Sequence, residues 1–194
     1  MSAAGEREVE IKLALASAAE GRRMLEAGGF RLLKARVFED NTLFDTPDRR
    51  LRAAASLLRL RQAGDAVMLT FKGPATYEKH KSREELELRL SDAVLDARLL
   101  ARLGFEPVFR YQKYRTEYGE AGAEGVVTLD ETPIGDYFEL EGAPDWIDRT
   151  AARFGFREAD YITASYAALY FDWCRQRGVE PAGMVFPEAV GTVQ

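Results

Sequence analysis

The chain is poor in the residues that most often carry metal and nucleophile chemistry. It has one cysteine, Cys174, and one histidine, His80, in 194 residues. A single thiol excludes an intramolecular disulfide, and the two residues together cannot furnish a thiolate and imidazole zinc site. A Ser-His-Asp triad would have to use His80, which stands in the loop-like stretch "TYEKHKSR". No apolar run approaches the length of a membrane span, and "MSAAGEREVE" lacks the apolar segment of a secretory leader, so a reducing cytoplasm is the expected compartment. Positive charge is not in excess either. The formal net charge of -5 supplies no bulk basic field, and neither nucleic acid nor an anionic membrane is expected as a partner.

What remains is an ordinary globular composition, 46% hydrophobic and 30% charged, in a chain long enough to bury one sizeable core. One domain is expected over residues 1–177. The Gly- and Pro-containing tail 178–194 is expected to drape over the surface or fray. Strand-like runs fall at about 7–15, 32–44, 56–63, 66–73, 83–90, 107–119, 125–132 and 136–142, a number that suits a barrel. Helical patterns fall at about 17–28, 93–103, 145–154 and 163–177. Gly28-Gly29-Phe30, Leu103-Gly104-Phe105 and Phe154-Gly155-Phe156 each place glycine where a helix reverses, with an aromatic just beyond, as a left-handed C-cap requires.

The strands share a second feature: nearly every one has a charged face. "EVEIK" aligns Glu8, Glu10 and Lys12; "LLRLRQ" aligns Arg59 and Arg61; "LTFKGP" aligns Thr70 and Lys72. "SREELELRL" aligns Arg83, Glu85, Glu87 and Arg89, and "RYQKYRTEY" aligns Lys113, Arg115 and Glu117. "VVTLDE" aligns Thr128 with Asp130, and "DYFELEG" aligns Tyr137, Glu139 and Glu141. Alternation fixes that these side chains share a face, but not which way the face looks. Facing solvent, they belong to a sandwich or a sheet with helices on one side. Facing inward, they line a closed barrel with a polar lumen, in which charges must be paired or hold a ligand.

In their order along the chain, "EVEIK", "EDNTLFDTPDRRLRAAASLLRLR", "LTFKGP", "KSREELEL", "FRYQKYRTEY" and "LDETPIGDYFELEG" resemble the CYTH family, the triphosphate tunnel metalloenzymes, over about residues 7–175. The resemblance implies an α+β fold: an eight-stranded antiparallel β-barrel forming a triphosphate tunnel, with helices packed outside and the charged faces inward. It implies a small-molecule triphosphate as ligand, with Mg2+ or Mn2+ as cofactor, two ions when substrate is bound. A triphosphate carries about four negative charges near neutrality, which call for several cations, Arg offering a planar fork and Lys a point charge. Arg59, Arg61, Lys72, Arg83, Lys113 and Arg115 are the expected triphosphate ligands, and Lys12, Arg59 and Arg61 the expected catalytic cations. Carboxylates beside a polyanion repel it unless a divalent cation lies between, so Glu8, Glu10, Glu85, Glu87, Asp130, Glu139 and Glu141 are the expected metal ligands. Arg89, Glu117 and Tyr137 share these faces but read as solvated or structural residues and are not placed in the site. The charged loop with Lys79, His80 and Lys81 reads as a solvated hairpin and is assigned no role. Ser165-Tyr166 resembles a family position at which the last helix packs at the tunnel end.

Three functions use such a site: hydrolysis of inorganic or organic triphosphates, cyclisation of ATP to cyclic AMP and pyrophosphate as in class IV adenylate cyclase, and nonenzymatic binding of polyphosphate or nucleotide. The best-known cyclase branch carries a His-Phe pair shortly before the ExExK motif, and this chain has neither residue there. The expectation is therefore a phosphohydrolase acting on tripolyphosphate, thiamine triphosphate or a nucleoside triphosphate, most readily on a small one that fits wholly inside the tunnel. A monomer or a homodimer is expected.

Overall fold

The computed structural model describes residues 6–187. In chain order these form β1 (Glu6–Leu15), α1 (Ala18–Ala27), β2 (Arg31–Asp45), α2 (Arg50–Ala53), β3 (Leu57–Ala63), β4 (Ala66–Lys72) and β5 (Thr76–Tyr77). There follow β6 (Lys81–Leu90), α3 (Ala93–Arg102), β7 (Glu106–Gly119), β8 (Val126–Thr132), β9 (Gly135–Glu141), α4 (Pro144–Arg153) and α5 (Tyr166–Arg177), with a 3-10 turn at Glu158–Asp160. The strands run β1-β9-β8-β7-β2-β3-β4-β6, and β6 pairs back onto β1, which closes the sheet into an eight-stranded antiparallel barrel. β5 lies outside it, paired only with β6. The fold is the α+β barrel that the resemblance implied, and closure settles the choice between barrel and sandwich that the charged faces alone left open.

Closure decides which way each face points. Odd positions of β1, with their partners on β8 and β9, turn outward, and Ile11, Leu13, Val127, Leu129, Phe138 and Leu140 are completely buried there. They are covered by Ala18 and Leu25 of α1 and by Trp146, Ile147 and Ala151 of α4. Each large side chain so removed from water contributes roughly 1.5–3 kcal/mol. A smaller cluster, Phe44, Leu60, Val67 and Leu100, seats α3. Gly125 is required at its place, since an added Cβ would meet the Trp146 ring at 2.3 Å.

The helix ends behave as their glycines predict. Gly29, Gly104 and Gly155 adopt left-handed φ of 74°, 89° and 84°. Beyond them Phe30, Phe105 and Phe156 each donate a backbone hydrogen bond to the carbonyl five residues back and turn into the hydrophobic clusters.

Three parts differ from the sequence reading. α2 and β5 were not expected, being four and two residues long. The loop around His80 is not freely solvated: His80 Nε2 lies 2.9 Å from Asp148 Oδ1 on α4, and Lys79 pairs with the same carboxylate at 2.9 Å. The tail residue Met184 is fully buried, and it pairs in parallel with Tyr111 of β7 through Met184 N–H to Arg110 O and Gln112 N–H to Met184 O.

Candidate active site in the barrel lumen

The register assembles the lumen from widely separated segments. β1 places Glu8 beside Arg83, Glu10 beside Lys81 and Glu141, and Lys12 beside Glu139. β3 and β4 place Arg59 beside Thr70, and β6 sets Glu87 and Glu85 beside Thr70 and Lys72. On the opposite side Lys113 of β7 neighbours Glu39 of β2, Arg61 neighbours Asn41, and Arg115 neighbours Asp130 of β8. Of the residues expected from sequence, all but Asp130 line one cavity of about 1340 Å³.

The lumen has two chemically different walls. On the acid-rich wall, Lys72 Nζ lies 2.7 Å from both Glu8 oxygens and 2.8 Å from Glu85 Oε2, and Arg83 Nε lies 3.3 Å from Glu8. Lys81 is ion-paired with Glu10, and Lys12 bridges Glu10 at 3.5 Å and Glu139 at 3.4 Å. These cations do not neutralise the wall. Enclosure by the barrel, then the charges of Glu8, Glu139 and Glu10, raise the Glu141 carboxyl to about 7 although its side chain still meets lumen water. Glu139 is instead held far below its ordinary range: burial opposes its charge, and Lys12, Arg115 and Lys113 outweigh that.

On the basic wall, Arg61 Nη1 lies 3.2 Å from Glu39 and its Nε donates to Asn41 Oδ1 at 2.9 Å. Arg59 Nη2 donates to Thr70 Oγ1 at 3.1 Å and lies 3.6 and 3.7 Å from Glu87 and Glu85. Four cations, Arg59, Arg61, Lys113 and Arg115, meet Glu39 and Asp130 on this side. Burial, then the neighbouring Arg59, lower the Arg61 guanidinium from its usual value, with Arg115 adding to the effect. Glu39 is held at about 2: burial works against its charge, and Lys113, Arg61, Arg115 and Arg59 overcome it. Arg59 Nε and Asn41 Nδ2 are buried donors with no hydrogen-bond partner among the described residues, groups that native structures almost always satisfy.

Asp130 sits behind this wall, wholly buried, with Arg115 donating to both its oxygens at 2.7 and 2.6 Å. Lys113 Nζ and Tyr166 Oη add bonds to its Oδ2 at 2.8 and 2.7 Å. It therefore braces the cations from outside the cavity. Tyr166 begins α5 and crosses one end of the lumen, its ring 5.2 Å from Lys12 Nζ and 5.1 Å from Lys113 Nζ. Tyr137 packs edge-on against it at 5.7 Å rather than lining the cavity.

Sequence reasoning missed Glu39, Asn41, Lys81 and Tyr111. Lys81 has the parity of Arg83 and Glu85 but follows directly on the charged loop; it is 2% exposed and ion-paired with Glu10 rather than part of the cavity lining. Glu39 and Asn41 alternate within "VFEDNTL", where the charged Asp40 between them obscures the alternation. Tyr111, on the face of Lys113 and Arg115, lies among Arg59, Arg61 and Lys113; burial resists its ionisation, but these cations lower its phenol.

The chain is thus a closed barrel whose inward faces are charged and whose outward faces carry the core. Residues 6–158 match the CYTH domain family, and the chain belongs to it. A Methanocaldococcus jannaschii protein, MJ0240, named as a candidate adenylate cyclase, is 30% identical over 134 residues, 69% of this chain and 75% of that protein. Among solved structures, PH1819 of Pyrococcus horikoshii OT3 is 26% identical with a TM-score of 0.71, covering 85% of this chain and 98% of its own. A Vibrio parahaemolyticus protein, also named as a candidate adenylate cyclase, shares the fold at 21% identity and a TM-score of 0.73, over 85% and 98% of the two chains.

Proposed function

We propose that this protein is a metal-dependent phosphohydrolase that takes a triphosphate into its lumen and releases orthophosphate. The observation that carries the reading is geometric: Arg59, Arg61, Lys113 and Arg115 on one side and Glu8, Glu10, Glu139 and Glu141 on the other line a single cavity of about 1340 Å³. A polyanion together with a divalent cation compensates both sides. Arg59, Arg61, Lys113 and Arg115, with Lys72 and Arg83, take the phosphate oxygens, and the unpartnered Arg59 Nε gains an acceptor.

The carboxylates of Glu8, Glu10, Glu139 and Glu141, with Glu85 and Glu87 beside them, form a hard oxygen donor set of the kind Mg2+ or Mn2+ prefers. Among the described residues no three already stand together as a metal site; several are turned toward the lysines and arginines. When bound, such an ion supplies Lewis acidity to phosphoryl oxygens and makes a nearby water more acidic. The chain does the rest. Lys12, held deep by Glu10, Glu139 and the Tyr166 ring, offers charge where the terminal phosphoryl group comes to rest. Water adds to that phosphorus, the bond to the bridging oxygen breaks, and the leaving oxygen stays under the arginines while the proton of the water passes to solvent.

The test is product identification after incubation with tripolyphosphate, thiamine triphosphate and ATP, each with Mg2+ or Mn2+. Orthophosphate is expected, turnover disappearing in excess chelator and returning with added metal. Cyclic AMP with pyrophosphate from ATP replaces the hydrolase by a cyclase. Tight binding without product leaves a binder.

A further inference from the structure

On the outside of the barrel, α3 ("AVLDARLLAR") is apolar on two faces. Ala93, Ala97 and Leu100 pack inward with Phe44, Leu60 and Val67 and seat the helix. Val94, Leu95, Leu99 and Leu103 stand on the opposite side, between 58% and 72% exposed. The group continues onto β6, where Leu86 and Leu88 are 47% and 58% exposed. These two pair with Phe71 and Leu69 of β4, and Leu69 packs into the cluster under α3, so strand and helix present adjoining surfaces. A surface helix carries polar residues opposite its seated face, whereas a helix apolar all round is a buried one. α3 therefore has a face without its cover. We propose that this surface joins two copies of the chain about a two-fold axis, with their α3 helices antiparallel.

Area and charge both select a second copy as the occupant. A fully exposed leucine side chain offers up to about 120 Å² of apolar area, so these six at their exposures offer on the order of 400 Å². A specific interface of minimal size buries about 800 Å² on each partner, and in homodimers about 65% of it is apolar. The patch thus supplies most of the apolar share. Two copies each carrying a formal charge of -5 repel unless their contact avoids that surplus. It does so here, since on α3 and its cap Asp92 and Asp96 balance Arg98 and Arg102. The acids lie toward the N-terminus of the helix and the arginines toward the C-terminus. An antiparallel pair sets the acidic half of each helix at the level of the basic half of the other, and opposes the two macrodipoles, whereas a parallel pair sets like against like. A lipid surface gains nothing from this order of charges. The contact lies outside the lumen and stands whether or not the lumen takes a triphosphate.

The experiment is sedimentation equilibrium of the full chain from roughly 1 to 200 µM, a range that brackets the weaker interfaces of this size. Wild type is expected to reach twice the monomer mass. The double variant Leu95→Glu, Leu99→Glu alters only exposed positions and keeps good helix formers, so circular dichroism should be unchanged while self-association weakens at least about a hundredfold. Two further variants test the arrangement. Asp96→Lys, and Arg98→Glu combined with Arg102→Glu, should each self-associate about tenfold more weakly than wild type, and an equimolar mixture of the two should recover the dimer. Wild type that stays monomeric throughout overturns the proposal, and so does a dimer indifferent to Leu95→Glu, Leu99→Glu, which places the contact on another face. A mixture that fails to recover overturns the antiparallel two-fold. A monomer that binds phosphatidylcholine vesicles through Leu95 and Leu99 gives the surface to a membrane instead and overturns it as well.

Discussion

Asp130 has no exposed surface and accepts hydrogen bonds from Arg115, Lys113 and Tyr166. A carboxylate so placed fixes the direction of two cations. Tyr166→Phe removes one donor from a charged acceptor, a change worth roughly 1.5–3 kcal/mol, and should lower the urea midpoint and reduce turnover with the fold preserved in circular dichroism. The two perturbed carboxylates act oppositely with pH. Glu39, depressed from 4.5 to about 2, stabilises fully above its ordinary value and loses that contribution as pH falls from 4.5 toward 2. Glu141, raised from 4.5 to about 7, binds its proton more tightly when folded, so its effect is a stability loss as pH rises through that interval. Ligand-free Glu141→Gln should therefore melt higher than wild type at pH 8, with the difference vanishing below about pH 4. A melting temperature lower than wild type at pH 8 would show that Glu141 is a paired structural charge.

At the scale of elements, what was legible in sequence was what repeats locally. Period-two charge marked seven of the eight barrel strands, all but β2, because each must present one face to the core and one to the lumen. The helix ends were legible because Gly29, Gly104 and Gly155 need left-handed backbone. β5 escaped because two residues carry no periodicity. The tail escaped for a different reason: its pairing is with a stretch of β7 that runs past the end of β8, and that vacant edge exists only once the sheet is assembled. Gly183 fits the close approach, since an added Cβ would lie 3.0 Å from the Arg110 carbonyl oxygen. Met184 then enters a cluster with Phe109, Tyr111, Tyr166, Tyr170 and Cys174. Met184→Ala should cost about 2–5 kcal/mol in chemical unfolding, as for other buried large-to-small changes. An unchanged midpoint would mean that the tail does not hold α5 against the barrel.

At the scale of the molecule, the direction of the charged faces could not be read from periodicity, because inward and outward faces alternate identically in a barrel and a sandwich. Closure rests on β1 meeting β6, whose paired residues lie more than 70 positions apart. The net charge of -5 likewise conceals a wall of cations, since overall charge averages over a surface that the lumen does not share. Glu39 and Asn41 became visible only when Lys113 and Arg61 were brought beside them. The central claim is that cations on one wall and carboxylates on the other make a triphosphate and a divalent cation bind together. Its most direct test is the calorimetric affinity for tripolyphosphate with and without Mg2+, in wild type and in Glu10→Gln. Mg2+ should strengthen binding to wild type at least about tenfold, and most of that gain should be lost in the variant. The same gain in both proteins would place the metal on the phosphates alone and contradict the account.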